Sequence, residues 1–463
     1  MTDTRSLLHR KLAGRLVLIF LAWKALFFLL AVLSPGPGYD TSALILLNPS
    51  RHRHRQFRNW TILDRFTLNH LRWDALYFVK TAQRGYVHEQ EWAFSWAYSM
   101  VLETTGKFLS RNAKPSLQHY VWAGIVVSNL CHLSSVLVLF RLLNVVLGPE
   151  QNVRIPFIAS VLHILSPAGM FLSAPYSEAF FAALNFTGML HYVQAKRAQE
   201  SSKNQAVRAD ALLLSSGVVF AGATLVRSNG LLSGLIFAYD VARYLPRACR
   251  FQLNRIDIRR IAVTCVAGSL VAVGYFLPQY VAYREYCVTK RISATRPWCQ
   301  NKLPSIYSWV QVQYWNVGFL RYWNLSNLPL FLIAAPMLWL LFKSGVAYLR
   351  HGPLQPSTSA HIPPPSGNES PNTFNSVSCG LPQLALPQLV LVIMAATTFH
   401  VQIINRISSG YPVWYLALAQ RMAQGRMAQV EGKTKRVPQW LVRGFIMYAI
   451  MQGTLFASFL PPA

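Results

Sequence analysis

Apolar residues in this chain run in blocks long enough to cross a bilayer, without the alternation of a half-buried strand. The first block, Leu12 to Leu33, is preceded by Arg5, Arg10, Lys11 and Arg15 and stops at Pro35-Gly36-Pro37. A cleaved signal peptide has a shorter apolar core and a small-residue cleavage site, so the block predicts a retained span with a cytoplasmic N-terminus. Further blocks fall near 119–143, 155–173, 176–194, 211–226, 231–245, 260–282, 326–343, 385–402, 410–421 and 439–459. The pattern predicts an all-α polytopic membrane protein, a single integral membrane domain over 1–463 with about eleven transmembrane helices.

Alternation from a cytoplasmic start gathers the short basic connectors on the cytoplasmic side: Lys196, Arg197, Lys203 and Arg208; Arg247, Arg250, Arg255, Arg259 and Arg260; Arg426, Lys433, Lys435 and Arg436. Two long stretches, 34–118 and 283–325, fall on the opposite side. Their aromatic and polar content predicts ordered structure. Residues 351–382 carry Pro353, Pro356, Pro363, Pro364, Pro365 and Pro371 among Ser, Thr and Asn, and predict a flexible cytoplasmic linker.

Composition agrees. Hydrophobic residues make up 53% and charged residues only 13%, against about 25% charged in soluble domains. The net charge of +28 could signal nucleic acid, but the basic residues lie between apolar blocks, where lipid topology and anionic headgroups account for them. The cysteines are scattered, with no CxxC pair and no metal-ligand spacing.

Five polar constellations and one lone lysine interrupt the apolar plan. In the first long loop, Leu71, Ala75, Phe78 and Ala82 recur at helical spacing, which predicts an amphipathic helix on the bilayer surface. Asp74 lies off that stripe, in Arg72-Trp73-Asp74-Ala75. It could act as general base for a substrate hydroxyl, or simply pair with Arg72 or Lys80. Glu178 ends the run Ser166-Pro167-Ala168 to Pro175-Tyr176-Ser177-Glu178. An ionisable residue at membrane depth is expensive unless paired or facing a polar cavity, and the alternative is a helix-start carboxylate. Arg227-Ser228-Asn229-Gly230, on the same side, offers a dense donor set for phosphate or sugar oxygens, or an Arg227–Glu178 pair fastening two hairpins. Lys24, within the first span, could snorkel or pair with a carboxylate. In the second loop, Trp298 and the run from Tyr307 through Gln311 to Trp315 suit sugar faces, headgroups or an interfacial aromatic belt. His400-Val401-Gln402 and Arg406 join polar groups to a late span on the same face.

Together these segments resemble the GPI mannosyltransferase 2 family, on Arg72-Trp73-Asp74-Ala75, Gly85-Tyr86 with Glu89, Ser166-Pro167-Ala168, Pro175-Tyr176-Ser177-Glu178, Arg227-Ser228-Asn229-Gly230, Pro297-Trp298-Cys299 and His400-Val401-Gln402. These motifs occur in the family's order over nearly the whole chain. The chain departs from animal members at Ala93-Phe94-Ser95-Trp96-Ala97-Tyr98, which lacks their proline. The resemblance implies the GT-C-like architecture of glycosyltransferases that use dolichyl phosphate sugars. It further implies transfer of the second mannose, in α-1,6 linkage, from dolichyl phosphate mannose to the mono-mannosylated GPI precursor at the luminal face of the endoplasmic reticulum. A related mannosyltransferase on another lipid-linked glycan, or a flippase or transporter, is the rival reading.

By the same resemblance Asp74 is the catalytic base, and Arg72, Trp73, Glu89, Tyr176, Glu178, Arg227, Asn229, Trp298, Gln311, Trp315, His400 and Gln402 are candidates for binding donor or acceptor. No cofactor or metal is expected. Partners are the two glycolipid substrates, membrane lipids and, as in yeast members, a small membrane accessory subunit; no nucleic acid. The threading puts Cys287 and Cys299 in one luminal loop, in a compartment that permits a disulfide. Asn59 and Asn324 head luminal glycosylation sequons, and Asn368 a sequon on the cytoplasmic side. With few luminal carboxylates, a basic vestibule is expected around Asp74.

Overall fold

The computed structural model describes residues 2–34, 38, 41–47, 61–111, 114–148, 152–201, 205–289, 296–351, 381–430, 439–458 and 460, and these contain helices and no strand. Asn59, Asn368 and nearly all of the 351–382 linker lie outside the described residues. The helices are α1 (Thr2–Leu33), α2 (Ser42–Leu47), α3 (Ile62–His70), α4 (Asp74–Arg84), α5 (Trp96–Leu109), α6 (Leu117–Leu147), α7 (Arg154–Ile164), α8 (Glu178–Ser201) and α9 (Ala206–Val226). They continue with α10 (Gly234–Ala242), α11 (Leu245–Cys249), α12 (Arg255–Tyr283), α13 (Ile306–Trp315), α14 (Leu328–His351), α15 (Leu381–Thr397), α16 (Ile404–Ile407), α17 (Val413–Val430) and α18 (Gln439–Ala457).

Among the described residues, six helices are long and apolar enough to cross a membrane. They correspond to the apolar blocks of α1, α6, α9, α12, α14 and α18. The remaining blocks form shorter or more polar helices, so the predicted count of eleven is not reached by length and composition. Proline and glycine explain part of the difference. The block at 155–173 is helical only to Ile164 before Pro167 ends it, and a 3-10 turn at Gly169–Leu172 follows. The block at 231–245 is divided between a 3-10 turn and the short α10.

The outward faces of the long helices are apolar: Leu18, Leu21 and Leu29 of α1, Phe276 of α12 and Leu332 of α14 are exposed. Such a surface suits acyl chains, whereas on a water-soluble protein it would drive aggregation. The chain is an integral membrane protein. Its interior divides into two principal apolar clusters. One gathers α8, α9, α14, α15 and α17, with Phe186, Phe220, Met337 and Trp414; the other gathers the end of α1 with α3 to α6, including Phe27, Phe78, Tyr98 and Tyr176.

Between α7 and α8, residues 165–177 are almost wholly buried and mostly non-helical. Backbone of this kind persists at membrane depth only where protein groups satisfy it. Three side chains from two long helices do so. Lys24 of α1 donates to the Leu172 carbonyl and to Ser173 Oγ, both at 2.8 Å. Asn129 of α6 donates to the Ser173 carbonyl at 3.1 Å, and Ser128 to the Tyr176 carbonyl at 3.2 Å. Lys24 therefore neither snorkels nor meets a carboxylate; its charge is turned onto the buried turn. Gly124 permits the close approach of this segment to α6, since a Cβ there would lie 2.4 Å from the Cβ of Pro175.

In the loop after α12, Cys287 and Cys299 are joined by a disulfide with Cα atoms 5.8 Å apart. Cys287 lies in a π-helical turn at Arg284–Thr289 that continues α12, and Cys299 in the 3-10 turn Pro297–Gln300. Trp92, Tyr286, Trp298, Ile306 and Val310 pack around the bond. Asn324 is exposed and precedes α14 by one short turn. In the purified chain, alkylation after reduction is expected to add two more adducts than alkylation without it, both within the peptides that carry Cys287 and Cys299. Identical masses under the two conditions would show that the bond is absent.

Candidate active site

Local backbone places Asp74 with unusual force. The helix α3 opens on a capping box in which Thr61 and Asp64 satisfy each other's backbone. It closes at Leu71, after which Trp73 adopts φ 53° and ψ −128° immediately before α4 begins. A side chain in that region costs about 1–3 kcal/mol and persists only when its surroundings over-determine it. Here they do. The Tyr176 hydroxyl donates to the Arg72 carbonyl at 3.2 Å and accepts the Asp74 amide at 3.1 Å, on either side of Trp73. Asp74 thus becomes the first residue of α4, where the positive end of the helix dipole favours a carboxylate. At the far end, Gly85 at φ 77° takes the chain out of the helix.

The stripe Leu71, Ala75, Phe78 and Ala82 is buried, but α5 and α6 cover it, not lipid. The helix predicted to float on the bilayer is thereby fixed to the protein, with Asp74 on its half-exposed side.

The carboxylate of Asp74 meets neither Arg72 nor Lys80. Its Oδ2 accepts from Arg406 Nη1 at 2.9 Å. The same guanidinium places Nε 2.6 Å from Glu178 Oε1, and Arg227 Nη1 lies 2.8 Å from that same oxygen. Arg227 also donates to Ser177 at 3.1 Å. The result is a chain of alternating charges, Asp74, Arg406, Glu178, Arg227, built from α4, α16, α8 and the end of α9. The Arg406 guanidinium carbon lies 4.9 Å from the Phe171 ring centroid and 5.5 Å from that of Tyr176, so the buried turn after α7 also supports it through cation–π contact.

Exposure separates the two acids. The Glu178 side chain is 1% exposed and Asp74 34%. Glu178 is committed to two guanidiniums, whereas the Asp74 carboxylate has no ion-pair partner among the described residues except Arg406 and keeps an open side. Tyr77, one turn further along α4, is half-buried. Burial first, then the charges of Asp74 and Glu91, push its phenol up from the ordinary value, so it remains a protonated hydroxyl. It stacks on Phe94 with centroids 4.3 Å apart, and Phe94 meets Trp315 edge-on at 5.7 Å. Half-buried Gln311 lies one turn earlier on α13.

Other candidates occupy different positions. Arg72 is fully buried and donates to Asn69 at 2.7 Å, so its side chain holds the α3–α4 junction and does not face the open side of Asp74. Glu89 pairs with Arg296 and accepts from Trp298 Nε1 at 3.0 Å. Trp298 is itself fully buried, which removes its ring faces from a sugar. That group fastens the first loop to the second. His400 Nε2 contacts the Trp315 carbonyl at 2.9 Å, its ring stacks on Tyr322, and Tyr322 donates to Gln402 at 3.1 Å. Asn229 donates to the Tyr411 hydroxyl at 3.1 Å, and Ser228 to that of Tyr307 at 2.7 Å.

Much of the basic content expected to form a vestibule, such as Arg51, Arg53, Arg55, Arg58, Lys290 and Arg291, lies outside the described residues; among the described residues the cations nearest Asp74 are paired. Two guanidiniums are balanced there by two carboxylates, and Arg84 and Arg296 are paired with Glu91 and Glu89. Among the described residues, no three His, Cys, Asp or Glu side chains converge as metal ligands would. Arg406 is the element that sequence reasoning under-read, noting it beside His400 without a role. The criterion that selected Glu178, an ionisable residue within an apolar stretch, applies to it equally.

The family described as Mannosyltransferase (PIG-V) matches residues 13–463. A protein of Chaetomium globosum named GPI mannosyltransferase 2 is 41% identical over 99% of this chain and 98% of its own length. One of the same name in Aspergillus fumigatus is 39% identical over 97% of this chain and 93% of its own length. Among solved structures, the oligosaccharyltransferase of Archaeoglobus fulgidus in the apo form aligns with a TM-score of 0.44 and 12% identity over 97% of this chain. The chain spans 56% of that structure. By its nearly full-length match to the family and to these relatives, the chain belongs to the mannosyltransferase (PIG-V) family.

Proposed function

We propose that this chain transfers the second mannose, in α-1,6 linkage, from dolichyl phosphate mannose to the mono-mannosylated GPI precursor, at the luminal face of the endoplasmic reticulum within a GT-C-like architecture. The relatives' names support the acceptor class. One observation carries the mechanism: Asp74 is the most exposed member of a chain of charges whose other acid, Glu178, is buried. A general base must reach a substrate hydroxyl and hold still while it does so. Asp74 has the open side for the first and the Arg406 bond, the helix start and the Tyr176 clamp for the second.

In the proposed reaction the acceptor hydroxyl gives its proton to Asp74 as its oxygen forms a bond to the anomeric carbon of the donor mannose. The bond from that carbon to the phosphate oxygen breaks with its electron pair, and dolichyl phosphate departs. A β-linked donor becomes an α-linked product in one in-line displacement, as in inverting glycosidases with a sugar hydroxyl in place of water. Arg406 and Arg227 are the groups able to meet the departing phosphate, since guanidinium forks match phosphate oxygens. Glu178 keeps both in place in the absence of substrate. Tyr77, Gln311 and Trp315, on the Phe94 side, are offered to a sugar ring.

Asp74→Asn preserves shape and one acceptor oxygen but cannot take the proton. Mannose transfer in isolated membranes is expected to fall by about 10²–10⁴-fold at unchanged protein level, and transfer at the wild-type rate would remove Asp74 from the mechanism. Arg406→Lys keeps the charge but cannot reach Asp74 and Glu178 from two points of one planar group. Transfer is expected to drop by at least about tenfold, and a wild-type rate would show that the fork is dispensable. Cells lacking the chain should accumulate a GPI intermediate with one mannose; accumulation of a truncated N-glycan precursor instead would reassign the acceptor. Chelators should leave transfer intact.

A further inference from the structure

The helix α8 carries Glu178 at its start, and at about 1.5 Å per residue Arg197 lies about 28 Å further along it. That is close to the ~30 Å of a bilayer's hydrocarbon core, so Arg197 stands at the opposite face from the Asp74 chain of charges. There the first turns of α1, the last third of α6 and Arg197 border a shallow, open cleft of about 710 Å³. Its polar lining is Arg5, His9, Arg10, Arg141, Asn144 and Arg197, and among the described residues no carboxylate lines it. Among the described residues none of these four guanidiniums forms an ion pair, in contrast to Arg227, Arg259, Arg296 and Arg406. Like charges held together without a counter-charge repel one another, and the arrangement is stabilised once an anion enters.

The remaining lining names the kind of anion. Phe140, whose ring meets His9 with centroids 5.7 Å apart, and Val145 give the cleft an apolar side. Cationic donors at headgroup depth, beside an apolar wall of Phe140, Val145 and Ala13, match a molecule with a phosphate at one end and an acyl chain at the other. We propose that this cleft binds the phosphate headgroup of an anionic phospholipid from the leaflet opposite the Asp74 site, fastening α1 to α6 and α8. The inference stands on the cleft alone and does not depend on the proposed reaction.

The test uses the full chain purified in detergent, with phosphatidic acid, phosphatidylcholine and inorganic phosphate as separate probes. Native mass spectrometry is expected to retain phosphatidic acid on the wild-type chain in preference to phosphatidylcholine, and phosphatidic acid is expected to raise Tm where millimolar inorganic phosphate does not. Arg141→Gln/Arg197→Gln should cut the retained fraction by about tenfold. A second pair, Arg5→Gln/Arg10→Gln, reads the same cleft from α1 should the first fold poorly. On the wild-type chain, photoreactive phosphatidic acid should label peptides that include residues 5–13 or 140–145. Equal retention of the two lipids, labelling elsewhere, or retention unchanged in both variants would overturn the proposal. Equal stabilisation by inorganic phosphate would overturn the lipid assignment.

Discussion

One guanidinium joins side chains from the two halves of the interior that α6 also bridges. Asp74 belongs to a helix packed in the cluster around α3 to α6, while Arg406 lies beside Ile404 and Ile407 in the cluster around α8, α14 and α17. The two residues are 332 apart in sequence and 2.9 Å apart in space. Glu178 makes the arrangement compulsory. A carboxylate almost wholly removed from solvent is tolerated only with close partners, and breaking a buried pair of this kind costs about 3–5 kcal/mol. Arg406 and Arg227 supply those partners, and the same Arg406 guanidinium also reaches Asp74. The accessible acid is therefore positioned by the inaccessible one.

The same principle governs the turn that precedes Glu178. Its carbonyls are oriented by donors from α1 and α6, its aromatic residues Phe171 and Tyr176 support Arg406, and the Tyr176 hydroxyl fixes the strained peptide at Trp73. A substitution at Ser128 or Asn129 would thus reach Asp74 through a sequence of hydrogen bonds without touching it. Rigidity of this sort is what a proton-transfer geometry requires, because small errors in placement carry large penalties in rate.

Much of this was legible in the amino-acid order. The long apolar blocks became α1, α6, α9, α12, α14 and α18, and the spacing of Leu71, Ala75, Phe78 and Ala82 marked α4, since periodicity reports which face is buried. It does not report what buries that face, and so a helix expected on lipid proved to pack against α5 and α6. Apolar blocks broken by Pro167 and Pro175 counted as spans by hydropathy, yet one became a short helix and a buried turn. Ion pairs were the least legible. Asp74 had nearby cations in Arg72 and Lys80, and only the tertiary fold supplied Arg406 in their place. Arg72 and Trp298 carried family motifs, but the structure buries both, because a motif records that a residue type is required without saying whether it faces a ligand or the scaffold.

Lys24 has a bearing on how the molecule is made. Its two hydrogen-bond acceptors are 148 and 149 residues further along the chain. At about 5–20 residues per second, synthesis places those acceptors ~7–30 s behind the helix that needs them. Throughout that interval α1 carries a cation of the kind that makes lateral entry into a bilayer unfavourable by about 2.5–3.5 kcal/mol. The many Leu, Phe, Ile and Val side chains of α1 offset that cost, and the cation gains its acceptors only once α7 and the turn after it have been made.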